Sequence, residues 1–151
     1  MKIPDIIQLR LYNQFLINKK FTSPGEAVSW FGAIQSQDFE GSKWAIGQRV
    51  EGSKEAKIQQ AYDKGEIIRT HVMRPTWHFV LPADIKWLLA LTASRVNAAC
   101  ATTFRQVQLD NKIFKTSNTV IEKALQKGKP LTREELKTAL QKKISVLMIY
   151  G

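Results

Sequence analysis

The sequence predicts a mainly helical α+β chain, a winged helix-turn-helix followed by the helical start of a second winged-helix unit. Three observations predict it. Apolar residues at three- and four-residue spacing, with local start and stop signals, fill most of residues 5–62. The pattern then turns β-branched and aromatic over 66–73 and 76–81, which reads as two short strands of a hairpin linked through Arg74-Pro75. After Pro82 helical spacing returns. Helices followed by a hairpin are the order of a winged helix.

Each element has its own justification. Ile6, Leu9, Tyr12 and Leu16, with Arg10 and Asn13 between them, give a first helix over 5–17, ended by Lys19-Lys20. Ser23-Pro24-Gly25-Glu26 opens a second, with Ser as N-cap, Pro at the first helical position and Glu returning to the cap. That helix carries Ala27, Val28, Trp30, Phe31 and Ile34 into Gln35-Ser36-Gln37. A third runs from Asp38 or Gly41 to Val50, with Trp44, Ala45 and Ile46 apolar and Lys43, Gln48 and Arg49 polar. Gly52-Ser53 breaks it, and Ser53 caps a fourth helix through Tyr62 that stops at Lys64-Gly65, a cationic last turn before a C′ glycine.

Beyond the hairpin, Ala83 or Asp84 starts a helix with Ile85, Leu88, Leu89, Leu91 and Thr92 inside, continuing or restarting near Ser94 with Val96, Ala99 and Cys100. The apolar period fails at 108–112. We place the domain boundary there, with a winged-helix domain and trailing helices over 1–110 and a second, incomplete unit over 111–151. In the latter, 116–127 forms a helix with Val120, Ile121, Ala124 and Leu125 inside and Gly128 as stop. Thr132-Arg133-Glu134-Glu135 is a capping box opening a last helix through about residue 142. Two helices joined by Gly128-Lys129-Pro130-Leu131 make half of a helix-turn-helix, so the expectation is a fragment of a longer protein, or a chain whose partner segment is missing.

Composition narrows the function classes. At 151 residues and 44% hydrophobic content the chain is globular, with one ordinary core or two small ones. A single cysteine, Cys100, rules out an internal disulfide framework and a Cys-built metal site; it reads as a small core residue in a reducing compartment. His71 and His78, seven apart on separate strands, are too few for a metal site, and no metal or cofactor is expected. No signal-peptide core and no run of about 18 apolar residues is present, so a cytoplasmic protein without membrane spans is expected. The net charge of +10 favours a polyanionic partner, nucleic acid or an anionic membrane surface, against the plain alternative of a solvated lysine-rich surface. Residues 111–143 hold nine Lys/Arg against Glu122, Glu134 and Glu135. No strongly basic amphipathic helix with a broad apolar face stands out, which disfavours the membrane.

The chemistry centres on Gln35-Ser36-Gln37. On a helix, residues two apart point about 200° apart, whereas on an extended segment they point the same way. Gln35 and Gln37 therefore act together only if the helix ends at or near Gln35, which leaves Asp38 to cap the next helix. An amide does not titrate, so neither glutamine is a general acid or base. It accepts from one partner and donates to another, which suits it to hold a water in an attack position. The structural alternative is that both amides satisfy backbone groups at a helix end. Arg74, Thr76 and His78, on or beside the hairpin, and Asp38 beside the glutamines are candidates for a DNA pocket. His78 alternates with Trp77 and Phe79, so aromatic burial would turn the histidine outward or into a cleft. Lys43, Arg49 and Arg69 are the candidates for backbone phosphate contacts. Trp30, Trp44, Trp77 and Trp87 are expected mainly in the core.

Several blocks together resemble one family. They are 32–38 (Gly-Ala-Ile-Gln-Ser-Gln-Asp), 43–47 (Lys-Trp-Ala-Ile-Gly), 69–80 (Arg-Thr-His-Val-Met-Arg-Pro-Thr-Trp-His-Phe-Val) and 87–92 (Trp-Leu-Leu-Ala-Leu-Thr). In this order the chain resembles the N-terminal part of the winged-helix DNA glycosylases of the AlkZ/YcaQ type, over roughly 5–100 and more weakly to 143. The resemblance implies a monofunctional glycosylase of alkylated or crosslinked purines, built from three tandem winged helices around double-stranded DNA. It implies that Gln35 and Gln37 are the Gln-x-Gln pair that holds the hydrolytic water near the anomeric carbon. Ser36 is smaller and more polar than the residue usual between them. It also implies a nucleoid-associated bacterial protein whose C-terminal winged-helix domains lie beyond this chain, which alone binds DNA weakly and excises little or nothing. The alternative is a non-enzymatic winged-helix DNA-binding module, such as a transcriptional regulator. Both amides open to a common basic cleft favour the enzyme; burial against backbone groups favours the module.

Overall fold

The computed structural model describes residues 3–18, 21–73, 76–126 and 128–150, the last eight by their backbone only. Helices α1 (Ile3–Asn13) and α2 (Pro24–Phe31), strand β1 (Ile34–Gln35), helices α3 (Phe39–Gly47) and α4 (Glu55–Asp63), strands β2 (Ile68–His71) and β3 (Trp77–Val80), and helices α5 (Ile85–Gln106), α6 (Asn111–Leu125) and α7 (Arg133–Tyr150) follow in order. This is the winged-helix-like α+β class the sequence predicts. The chain divides into two compact units, Met1–Ala99 and Cys100–Gly151, the division falling inside α5. The chain does turn at 107–110, where Gln108 takes a positive φ of 56°.

In the first unit the hairpin gains a third strand. The sheet is antiparallel in the order β1-β3-β2, with Gln35 opposite His78, and Thr70 opposite His78 from the other side. The central strand is covered on both faces. Phe79 belongs to the main core with Phe21, Ala27, Val28, Ile46, Val50, Ile58, Ala61 and Ile67, to which α2, α3 and α4 all contribute. Val80, on the opposite face, packs with Val72 and Leu88, the latter from α5. Phe39, Tyr62 and Phe79 meet edge-on or tilted, with ring centroids 5.2 to 5.9 Å apart, adding to the apolar burial.

The capping signals act much as read, with one displacement. Ser23 Oγ accepts the Glu26 N–H at 3.2 Å, but the Glu26 carboxylate accepts from the Thr22 backbone N–H and hydroxyl, one residue before the cap. Helix α2 ends at Phe31, three residues earlier than expected, because Gly32 at φ 69° turns the chain out. Asp38 caps α3, accepting the Gly41 N–H at 3.1 Å. Ser53 does not cap α4; Lys54 holds that position without a side-chain bond. Gly65, at φ 71°, closes α4 through its own N–H to Tyr62 O and that of Glu66 to Ala61 O, a Schellman motif.

Several burial expectations are corrected. Trp30, Trp44 and Trp87 are exposed, Trp44 by 68%, and Trp77 is half-buried. In α3 the reason is rotational: Ile46 is fully buried, and a residue two positions away on the helix faces about 200° elsewhere. Helix α1 buries none of its residues, and α5 buries Leu88 alone, with Leu89 and Leu91 exposed.

In the second unit, α6 starts earlier than read, at Asn111 behind Asp110, whose side chain accepts the Ile113 N–H. The capping box at Thr132 and Glu135 forms in both directions, at 3.3 Å and 2.7 Å, and α7 runs past the expected end. Phe104 and Phe114 meet edge-on at 5.2 Å.

The Thr22 bonds, backbone first, hold the Glu26 carboxyl below the ordinary glutamate range. A carboxyl lowered on folding contributes stability above its unfolded value, near 4.3, that is lost as pH falls through the folded value. Glu26→Gln keeps the cap acceptor but cannot titrate. Its melting temperature should therefore fall less steeply than that of the wild type between pH 5 and pH 3 in parallel thermal scans.

Candidate functional site

The extended run at Gln35 is created by pairing. Strand β1 lies against β3, and the ladder continues through the Ser36 N–H to Trp77 O at 2.8 Å. Alternation along this run puts Ser36 on the core face and Gln35 and Gln37 on the other, on the side of β3 that carries His78 and Thr76. Ser36 is fully buried, and both glutamines are exposed. The geometry that cooperation between the two amides requires is therefore present.

The amides differ in their partners. Gln37 Oε1 accepts the Trp77 backbone N–H at 3.2 Å, which settles which end of the carboxamide is oxygen and leaves its NH₂ without a partner among the described residues. Gln35 has no side-chain hydrogen bond among the described residues. One amide is thus pinned and the other unengaged, and neither is buried. The cleft criterion is met by half: exposure agrees with the enzyme, and the Trp77 bond with a structural use.

Arg69 holds the run from the core side. Its Nε and Nη2 donate to Ser36 O at 3.0 and 2.8 Å, and Nη2 also reaches Gln37 O at 3.3 Å. The guanidinium lies 4.6 Å from the Trp77 ring centroid and 5.4 Å from that of Phe39. Planar, with forked donors, it suits two successive carbonyls. This role was not legible in the sequence, because 33 residues separate Arg69 from Ser36.

His78 is buried rather than turned outward, 2% exposed, because α5 covers the face of β3 opposite Phe79. Its Nδ1 lies 3.0 Å from Thr76 O, and since a carbonyl can only accept, Nδ1 carries the proton. Thr76 Oγ1 and Ser36 Oγ are buried without a hydrogen-bond partner among the described residues. Gln35, Gln37, Asp38, Thr76 and His78 are thus brought to one end of the sheet, where Arg69 reaches across from β2 on the core face. Arg74 lies outside the described residues.

Lys43 and Arg49 are elsewhere. Lys43 is 4% exposed, and its ammonium meets Glu40 at 2.8 Å, Glu55 at 3.3 Å and Gln59 at 2.9 Å. Three acceptors use its three donors, which corrects the expectation that it is available to a phosphate. The Glu40 bond, outweighing burial and aided by Glu55, raises its pKa above the ordinary lysine range. Arg49 donates to Ala45 O at 2.7 Å and Gln14 Oε1 at 3.3 Å, stands 5.1 Å from the Phe31 ring centroid, and has its pKa lowered by partial burial. Each candidate phosphate-binding cation is engaged within the first unit. Among the described residues no three His, Cys, Asp or Glu converge on a metal position, and no helix is long and apolar enough to cross a membrane.

Among known families, one described as DNA glycosylase AlkZ-like matches residues 28–148, about four-fifths of the chain and including both glutamines. No curated protein and no solved structure matches it.

Two substitutions probe the edge. Ser36→Ala removes a buried hydroxyl that has no hydrogen-bond partner among the described residues, so denaturant unfolding should show a variant as stable as the wild type or more so by up to about 1 kcal/mol. Arg69→Ala strips two carbonyls of their donors and should cost about 2–3 kcal/mol; a loss below about 0.5 kcal/mol would mean that the clamp contributes little.

Proposed function

Because the chain belongs to the AlkZ-like DNA glycosylase family, we propose that it forms the N-terminal, water-positioning part of a monofunctional glycosylase. The reaction is hydrolysis of the N-glycosidic bond of alkylated or crosslinked purines in double-stranded DNA. The observation that carries this reading is the extended Gln35-Ser36-Gln37 run, with both amides exposed on one side and one pinned by Trp77.

An amide pinned through its oxygen offers its NH₂ in a set direction, which is the preorganisation that positioning catalysis needs. Gln35 accepts a hydrogen bond from the water, and Gln37 donates one to the water oxygen or the sugar. The oxygen attacks the anomeric carbon, the glycosidic electron pair leaves with the purine, and the excess proton passes to solvent. An N7-alkylated purine is already cationic and departs without an added proton, so no titrating group is required. Arg69 is a positioning residue, acting through the Ser36 and Gln37 carbonyls. Asp38, Thr76 and His78 are the lesion-contacting candidates beside the glutamines, Arg74 is a further candidate by sequence alone, and the protein works on the nucleoid in the cytoplasm.

The domain reading proposed with it is a winged-helix domain over 1–110 and the start of a second over 111–151, completed by further winged-helix domains of the same protein. One observation favours a second reading, a non-enzymatic DNA-binding module: Gln37 already satisfies a backbone N–H.

The test is excision of N7-alkylguanine from duplex DNA by the full-length gene product under single-turnover conditions. Gln35→Ala and Gln37→Ala should each slow excision about 100-fold, the scale of a misplaced reactant. Stability separates them, since Gln37→Ala also loses the Trp77 bond, about 0.5–1.5 kcal/mol, whereas Gln35→Ala stays within about 0.5 kcal/mol of wild type. Equal excision by both variants and wild type would falsify the water-positioning role. Salt-sensitive DNA binding without excision across a broad lesion panel would support the module.

A further inference from the structure

The net charge is concentrated where the glutamines are not. The unit Cys100–Gly151 is about a third of the chain and holds ten of its 23 Lys/Arg but only four of its 13 Asp/Glu. Helix α6 sorts its residues by face. Ile113, Val120, Ile121 and Ala124 lie within about 100° of one another and are half-buried on the side packed with α7. Lys112, Lys115, Thr119 and Lys123 fall in a second stripe, near the opposite side, and all four are exposed. Lys115, Thr116, Thr119, Val120 and Lys123 line a shallow groove of about 300 Å³.

What separates these lysines from the candidate phosphate-binding cations of the first unit is their partners. Lys43, Arg49 and Arg69 are taken up by protein acceptors. The ammonium groups of Lys112, Lys115 and Lys123 make no ion pair or hydrogen bond among the described residues, and Glu122 is the sole acid in α6. Helix α4, in the recognition position of a winged helix, is not basic: it carries Glu55 and Asp63 against Lys57, whose ammonium donates to Thr22 O at 2.8 Å.

We propose that the Lys112-Lys115-Lys123 face of α6 is a sequence-independent contact surface for the phosphate backbone of duplex DNA. The inference rests on the reading that the protein acts on DNA, and it assigns the electrostatic share of binding to the second unit. At 1.5 Å per residue the stripe spans about 16 Å, near the axial rise of five base pairs. Lysine ammonium groups and a threonine hydroxyl suit phosphate oxygens and carry no base information. An anionic membrane is disfavoured because the exposed stripe is lysine and threonine and carries no insertable aromatic.

The test is fluorescence anisotropy of the full chain on two unrelated duplexes over a series of salt concentrations. The triple variant Lys112→Gln, Lys115→Gln, Lys123→Gln should lower the slope of log K against log salt by about 2.7 and weaken binding at 0.1 M salt on the order of 100-fold, equally on both duplexes. A charge-matched variant with exposed Lys54, Lys64 and Lys86 changed to Gln should move the slope by less than about 1. Circular dichroism establishes that each variant is folded, and the corresponding Lys→Arg triple should restore binding. Equal slopes for the two Gln triples, or an unchanged slope for the α6 triple, overturn the assignment while leaving DNA as the substrate. Absence of duplex binding by wild type overturns both. Lysine-dependent binding to vesicles of phosphatidylserine and phosphatidylcholine, without duplex binding, transfers the surface to a membrane.

Discussion

The structure of the first unit depends on β3 being paired along both edges and covered on both faces. Phe79 goes to the helical core and Val80 to α5, so the strand cannot shift by one residue without exchanging its core side chains for those of the other face. That constraint sets the register of β1 as well. With Gln35 opposite His78, Ser36 must point inward and the two glutamines outward.

The same constraint accounts for the distribution of polar groups. Where a basic side chain meets the sheet it satisfies carbonyls, as Arg69 does at Ser36 and Gln37; where it lies between helices it joins carboxylates, as Lys43 does with Glu40 and Glu55. Such buried donors must be matched or carry a desolvation cost. The first unit accordingly spends its well-placed cations on its own architecture. In the second unit the α6 lysines face solvent, because the apolar side of that helix is already used by α7. The two units thus divide the labour proposed for them, positioning in one and backbone attraction in the other.

Exposed apolar residues mark a further contrast. Helix α1 presents Ile6, Leu9 and Tyr12, and Trp44 and Trp87 stand out from α3 and α5. Helical spacing alone drew these residues inward in the sequence reading, because an apolar period shows that a face exists and not what lies against it.

Much of this protein was determined by the sequence alone, wherever the deciding interaction spans only a few residues. The Ser23 and Thr132 caps, Asp38 as the start of α3, the glycine ending α4 and the switch from helix to strand near residue 66 each rest on side chains within about five positions of one another. The need for Gln35 and Gln37 to leave the helix was legible for the same reason. Only the tertiary structure decided that β1 is a strand, that Arg69 clamps it, that His78 is buried and that Lys43 is enclosed. Those outcomes join residues 12 to 43 positions apart, and at such separations packing and the matching of buried donors to acceptors choose the partner, not local pattern.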